Sequence, residues 1–274
     1  MAESCTTNSW RFPPGTREVQ MDEKWSFVGK KQKHCDDDDA PDTPRCDERQ
    51  GDCWDHVALD PESKLVLSVI PGKRTAANTA ALVQDVKKRL GNKPPTLITT
   101  DEYPAYRDAI LDAFGDTVVP PPTGRPGRPQ APYKNPPANL NYATVHKTRE
   151  KGRVVKIDYR VVFGTWAAVQ LVLAASTVST HINTSFIERH NGTDRHRNAR
   201  KARATYRFSK QWEMHEAVTY LTMFNYNFCW PVRTLATTDA SKRRQPRTPA
   251  MAAGLTDHVW TLNQWLRYPA VQSP

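Results

Sequence analysis

Alternation of apolar and polar positions begins at Glu18 and runs through Val28. In Glu18-Val19-Gln20-Met21-Asp22-Glu23-Lys24-Trp25-Ser26-Phe27-Val28 the odd positions are mostly apolar, which is the period of a strand. Asp22 falls on the polar side with Gln20 and Lys24, and Glu23 points the other way. Two more strand-like runs, Asp55–Leu59 and Lys64–Ile70, are joined by the turn residues Asp60-Pro61-Glu62-Ser63 and predict an antiparallel meander. From Ala76 the period becomes helical: Ala80, Leu82, Val83, Val86 and Leu90 share a face, and Gly91 stops the helix. Leu97 and Ile98 then form a short strand ending at Asp101, and Pro104 to Phe114 form a second helix.

Beyond residue 118 the pattern is less regular. A Pro-rich stretch, Val119–Pro129, leads to an expected hairpin over Arg153–Phe163. The longest apolar run, Trp166–Ala175, reads as a buried helix and is too short for a bilayer, which takes about 20 residues. Thr184–Arg195 is helical, and a further helix capped by Ser209 carries the stripe Met214, Ala217, Val218, Leu221, Phe224 and Phe228, ended by Pro231. This divides the chain into an N-terminal tail (1–17), a first catalytic part (18–118) with an acidic Cys-containing loop (33–53), a linker and hairpin (119–165), a second catalytic part (166–230) and a C-terminal tail (231–274).

Charge narrows the partners. The 274 residues carry 39 Lys and Arg against 29 Asp and Glu, a net +10, which suits a chain that faces nucleic acid. The excess is concentrated after residue 188. Arg189, Arg195, Arg197, Arg200, Lys201, Arg203, Arg207 and Lys210 are opposed there only by Glu188 and Asp194. Solvated helix faces usually mix signs, so this run is expected to lie along phosphates, with affinity falling by roughly one log-log slope unit of salt per contact.

Three carboxylates sit where a divalent-metal phosphoryl-transfer site would put them. Asp22 is on the polar side of its strand, Asp101 lies beyond the carboxyl end of another, and Glu188 opens a helix on which Asn191 and Arg195 share its face. Ser185 and Glu188 also fit a capping box, which would leave Glu188 only a structural duty.

Read together, these segments resemble the DDE transposases of the insertion sequence one family. The matching stretches are Asp22–Gly29, the Gly72-Lys73-Arg74-Thr75 turn, Thr100–Tyr106, Phe186–Asn191, and Phe208-Ser209-Lys210 with Glu213 and His215. The resemblance implies an α/β fold with a ribonuclease-H-like mixed sheet and flanking helices, and the element order up to Phe114 agrees with it. It also implies that Asp22, Asp101 and Glu188 hold Mg2+ or Mn2+, two ions in all, for strand cleavage at transposon ends and transfer into target DNA. Asn191, Arg195, Arg197, Arg200, Lys201, Arg203, Arg207 and Lys210 are the expected DNA-binding residues. The 87 positions between Asp101 and Glu188 exceed the compact family pattern and predict an insertion over 119–165. End recognition by a separately encoded N-terminal DNA-binding protein, and a homo-oligomer, are further implications. Two other classes stay open: a catalytically idle DNA-binding descendant, and a general nuclease of the same fold.

The five cysteines, at 5, 35, 46, 53 and 229, form no CxxC pair. A zinc site from Cys35, Cys46 and Cys53 with His34 or His56 has irregular spacing, and the Asp36–Asp39 run favours a solvated acidic loop. The first residues show no signal-peptide pattern, so a cytoplasmic, nucleoid-associated protein with reduced thiols and no membrane contact is expected. Arg125-Pro126-Gly127-Arg128-Pro129 approaches a minor-groove hook but reads better as a stiff linker.

Overall fold

The computed structural model describes residues 14–35, 49–121 and 130–267; Asp36–Asp39, Cys46 and Arg125–Pro129 fall outside them. The meander forms as expected from β1 (Glu18–Val28), β2 (Gly51–Leu59) and β3 (Val66–Gly72). Helix α1 (Ala76–Arg89) follows, with Thr75 accepting from the Asn78 N–H as N-cap, a bond worth about 1 kcal/mol. Then come β4 (Leu97–Thr100), α2 (Ala105–Phe114), and a small pair, β5 (Asp116–Val118) and β6 (Tyr133–Asn135). β7 (Asn141–Glu150) and β8 (Arg153–Phe163) precede helices α3 (Trp166–Ala174), α4 (Ser185–Arg197) and α5 (Trp212–Phe224).

The main sheet has six strands in the order β3-β2-β1-β4-β7-β8. β4 runs parallel to β1, β7 runs parallel to β4, and the other neighbours are antiparallel. This mixed α/β arrangement is consistent with the ribonuclease-H-like fold that the resemblance implies. α1 and α2 cover the face that carries Val19, Met21 and Ile98, while α3, α4 and α5 lie on the face that carries Asp22.

Several expectations are corrected. Arg153–Phe163 is not a hairpin in itself but the single strand β8, paired antiparallel with β7, and β7 pairs with β4 from Leu97↔Asn141 to Thr100↔Thr144, so both belong to the central sheet. Leu140, Tyr142, Ala143 and Val145 are buried on both sides of it, and that two-sided burial removes the alternation that marks a half-exposed strand. Helix α3 is not buried. Among its residues only Val169 is fully covered, while Trp166 is 50% and Leu171 73% exposed. On α5 the inward row is His215, Thr219 and Met223, leaving Met214 and Leu221 exposed. Gln211, not Ser209, occupies the α5 N-cap. Beyond residue 230, Trp260 packs against Phe228 and Trp265 against Phe224, each at 5.5 Å between ring centroids. Cys35 is disulfide-bonded, against the expectation of reduced thiols, whereas Cys53 and Cys229 are free. Among the described residues no helix is long and apolar enough to cross a membrane.

Candidate active site

The polar side of β1 is buried beneath α4, and its contacts explain how that helix docks. Gln20 accepts from the backbone N–H groups of Phe186 and Ile187, both at 3.1 Å, and donates to the Asn183 carbonyl at 2.9 Å. Two residues along, Asp22 Oδ2 accepts from Asn191 Nδ2 at 2.8 Å, and two further on Lys24 pairs with Asp194. A two-residue step along a strand is about 6.7 Å and a helical turn about 5.4 Å, so three strand positions can serve successive turns. Of α4 itself only Ile187 and Asn191 are buried, so this polar ladder does much of the holding. The alternative capping box of Ser185 and Glu188 is absent. Ser185 Oγ donates to Asn183 Oδ1 instead, and Glu188 is left for other partners.

Asp22, Asp101 and Glu188 line one cavity of about 700 Å3, with Asn191 and Arg195 of α4 beside them. Asp22 is the most perturbed. Burial, then the charges of Asp101 and Glu23, push its carboxyl from 3.8 up to about 7, against the opposing bond from the Glu23 N–H at 2.9 Å. Asp101 lies just past β4 and accepts from the Tyr103 N–H at 3.1 Å. Glu188 pairs with Lys147 and accepts from Thr184 Oγ1 at 2.7 Å; these partners outweigh burial and hold it below the usual glutamate value.

Basic groups ring these acids. Arg74 clamps Glu23 Oε2 through Nε at 3.1 Å and a terminal nitrogen at 2.9 Å, stands 3.8 Å from Asp101, and lies over the Tyr103 ring. The turn that delivers it needs Gly72, because a Cβ there would meet the Asn78 side chain that holds the Lys73 carbonyl. Lys147 and Arg149 come from β7, with His146 and Arg160 joined to Glu102 at 2.5 and 3.0 Å. Sequence reasoning gave Arg74, Glu102, His146, Lys147, Arg149 and Arg160 no role. The alternation of Lys147 with Arg149 was the available signal, legible only once β7 is known to be a central strand.

The basic run is placed differently from a phosphate-lining helix. α4 ends at Arg197, and residues 198–211 are turns and bends. Lys201 is corrected outright: its ammonium is buried on Asp55 and Thr219 and faces no solvent. Asn191 is likewise buried, on Asp22, and so positions that carboxylate. Arg197 stacks on Trp230 at 3.3 Å from the ring centroid. Arg203, Arg207 and Lys210 are exposed, Arg195 and Arg200 half-buried.

No protein-family model matches the chain, and no curated protein matches it. Among solved structures it is similar to a Mos1 transposase paired-end complex with the left transposon end, at 22% identity over 36% of this chain and 32% of that one, with a TM-score of 0.23. A Mos1 mariner paired-end complex with Mn (20% identity, 35% and 32% covered) and a Mos1 strand transfer complex (20%, 41% and 39%) both give a TM-score of 0.23. The chain thus matches about a third of the length of the first two. A likeness at that level decides nothing about its activity.

Proposed function

We propose that this chain is a metal-dependent DNA transposase of the DDE type, cleaving strands at transposon ends and joining them to target DNA. One observation carries the reading. Acidic residues from three distant segments meet in a single cavity whose rim is basic, and burial with the charges of Asp101 and Glu23 raises the carboxyl of one of them, Asp22, to about 7. The donor set is all carboxylate oxygen, which fits hard ions such as Mg2+ or Mn2+. Two such ions, when bound by Asp22, Asp101 and Glu188, supply activation of the attacking oxygen and stabilisation of the leaving one. The chain's own residues do the rest. Asn191 and the Glu23 N–H fix the two Asp22 oxygens, and Thr184 orients Glu188. Arg74, Lys147, Arg149 and Arg195 surround the space a phosphodiester would enter. Arg200, Arg203, Arg207 and Lys210 extend the basic surface for the duplex. A separately encoded DNA-binding chain, a multimer that pairs two ends, and a place at the nucleoid belong to the same proposal.

The test is strand cleavage by the full chain with Mg2+ or Mn2+, on duplexes with and without the element's ends. The reading expects metal-dependent nicking confined to end-bearing duplexes, abolished in Asp22→Asn, Asp101→Asn and Glu188→Gln with DNA affinity largely intact. Equal cutting of random duplex identifies a general nuclease. Binding without any cutting identifies an idle descendant.

A further inference from the structure

We propose that Cys53, Asp55 and His215 form a second, structural metal site, a buried thiolate, carboxylate and imidazole set that takes zinc. Cys53 and Asp55 are two residues apart on β2 and so face the same way, and His215 descends onto them from the first turn of α5. The Cys53 Sγ lies 3.4 Å from His215 Nε2, and Asp55 Oδ1 lies 3.8 Å from the same nitrogen. All three donor atoms fall within 4.8 Å of one another, and all three residues are buried. Zinc bonds of about 2.0–2.3 Å at tetrahedral angles put ligand atoms about 3.3–3.6 Å apart, so the side chains need little movement to close on an ion. A fourth position falls to water, as in other three-ligand zinc sites.

Two features point to a ligand rather than to packing alone. Asp55 divides its oxygens: Oδ2 takes Lys201 and Lys24, the latter at 3.1 Å, while Oδ1, in a side chain with no exposure, has no hydrogen-bond partner. Buried carboxylate oxygens rarely go unserved, and this one is aimed at the Cys53–His215 pair. The other His215 nitrogen, Nδ1, is 3.1 Å from Ser209 Oγ, the outer contact that orients metal-binding imidazoles and turns Nε2 inward. A thiol–imidazole hydrogen bond accounts for the 3.4 Å contact but leaves Asp55 Oδ1 with only the same imidazole nitrogen at 3.8 Å, beyond hydrogen-bond length. The neighbouring ammoniums do not forbid a cation. Lys24 and Lys201 are matched by Asp55 and Asp194, and coordination would strip the Cys53 proton, so the two charges of the ion would leave the cluster at a net of one positive charge. A thiolate beside imidazole and carboxylate selects zinc over the hard ions suited to the carboxylate cavity. The ion would pin α5 and the 209 turn to β2, with no exposed position for substrate.

The experiment is metal analysis of the full chain after zinc-supplied expression and gel filtration, with Co2+ exchange read by its thiolate charge-transfer absorption. The expected result is about one zinc per folded chain and a thiolate band with cobalt. Zinc should be lost in C53S and H215Q, and kept both in a C5S/C35S/C46S variant and in D22N/D101N/E188Q. Folded wild-type protein with no zinc and no cobalt–thiolate band overturns the proposal, and so does loss of zinc in the C5S/C35S/C46S variant. Should C53S fail to fold, the wild-type cobalt spectrum and the C5S/C35S/C46S variant still decide.

Discussion

Asp22 is expected to destabilise the metal-free protein at the pH where the enzyme would work, and Asp22→Asn should relieve it. Its carboxyl titrates near 3.8 unfolded and about 7 folded, so between those values the folded chain holds a proton that the unfolded chain has released. Stability therefore falls as pH rises through that window, by about 1.4 kcal/mol per pH unit, or about 4 kcal/mol at pH 8 as an upper bound. Below about pH 4 both states are protonated and the penalty vanishes. Asparagine keeps the shape without the charge. The Asn191 Oδ1, now buried without a partner, is available to accept from the new amide if the Asn191 side chain turns over. Urea titrations in EDTA at pH 5 and pH 8 measure the difference. Wild type should lose several kcal/mol across that range in excess of Asp22→Asn, and Mg2+ or Mn2+ should restore wild type but not the variant. Parallel pH curves for the two proteins, or an Asp22→Asn chain less stable at pH 8, would refute the reasoning.

Lys201→Met strips a buried ion pair from Asp55 and should cost about 3–5 kcal/mol in urea unfolding, whereas Arg207→Ala should stay within about 0.5 kcal/mol. Equal stabilities would return Lys201 to the surface. In filter binding against salt, Arg203→Ala, Arg207→Ala and Lys210→Ala should each lower the log-log slope by roughly 0.9, and unchanged slopes would exclude them from phosphate contact. Asn191→Ala should slow cleavage while leaving DNA affinity near wild type, because it orients Asp22 without reaching the duplex; an unaltered rate removes that role. Leu171→Glu on the uncovered side of α3 should shift Tm by no more than about 2 °C, and a loss above about 2 kcal/mol would show that face to be packed after all.

Local sequence was enough for those elements whose two faces differ in polarity. In β1 the near-alternation placed Asp22, Gln20 and Lys24 together although both faces are covered, and in α1 the spacing of Leu82, Val83 and Val86 marked the inward face. The three acidic residues were visible because each lies at the edge of a readable element, and the resemblance joined them in order. What periodicity could not carry was anything set by a partner distant in the chain. β7 hides its period because both its faces are covered, so Lys147 and Arg149 were invisible as rim residues. Lys201 sits in a run of exposed basic residues, and only the approach of Asp55, 146 positions away, takes it inside. The apolar run of α3 suggested burial, yet one narrow strip of it meets the sheet.

The sequence by itself determined the order of strands and helices through Phe114 and the basic character of the chain, since each follows from residue type and short-range spacing, and the family resemblance singled out the three candidate carboxylates. The tertiary structure alone decided that Lys147 pairs with Glu188, that Asn191 serves Asp22, and that Cys53, Asp55 and His215 converge. Those are contacts between segments more than 40 residues apart, and their side-chain chemistry is indifferent to neighbours in the chain until folding closes the distance.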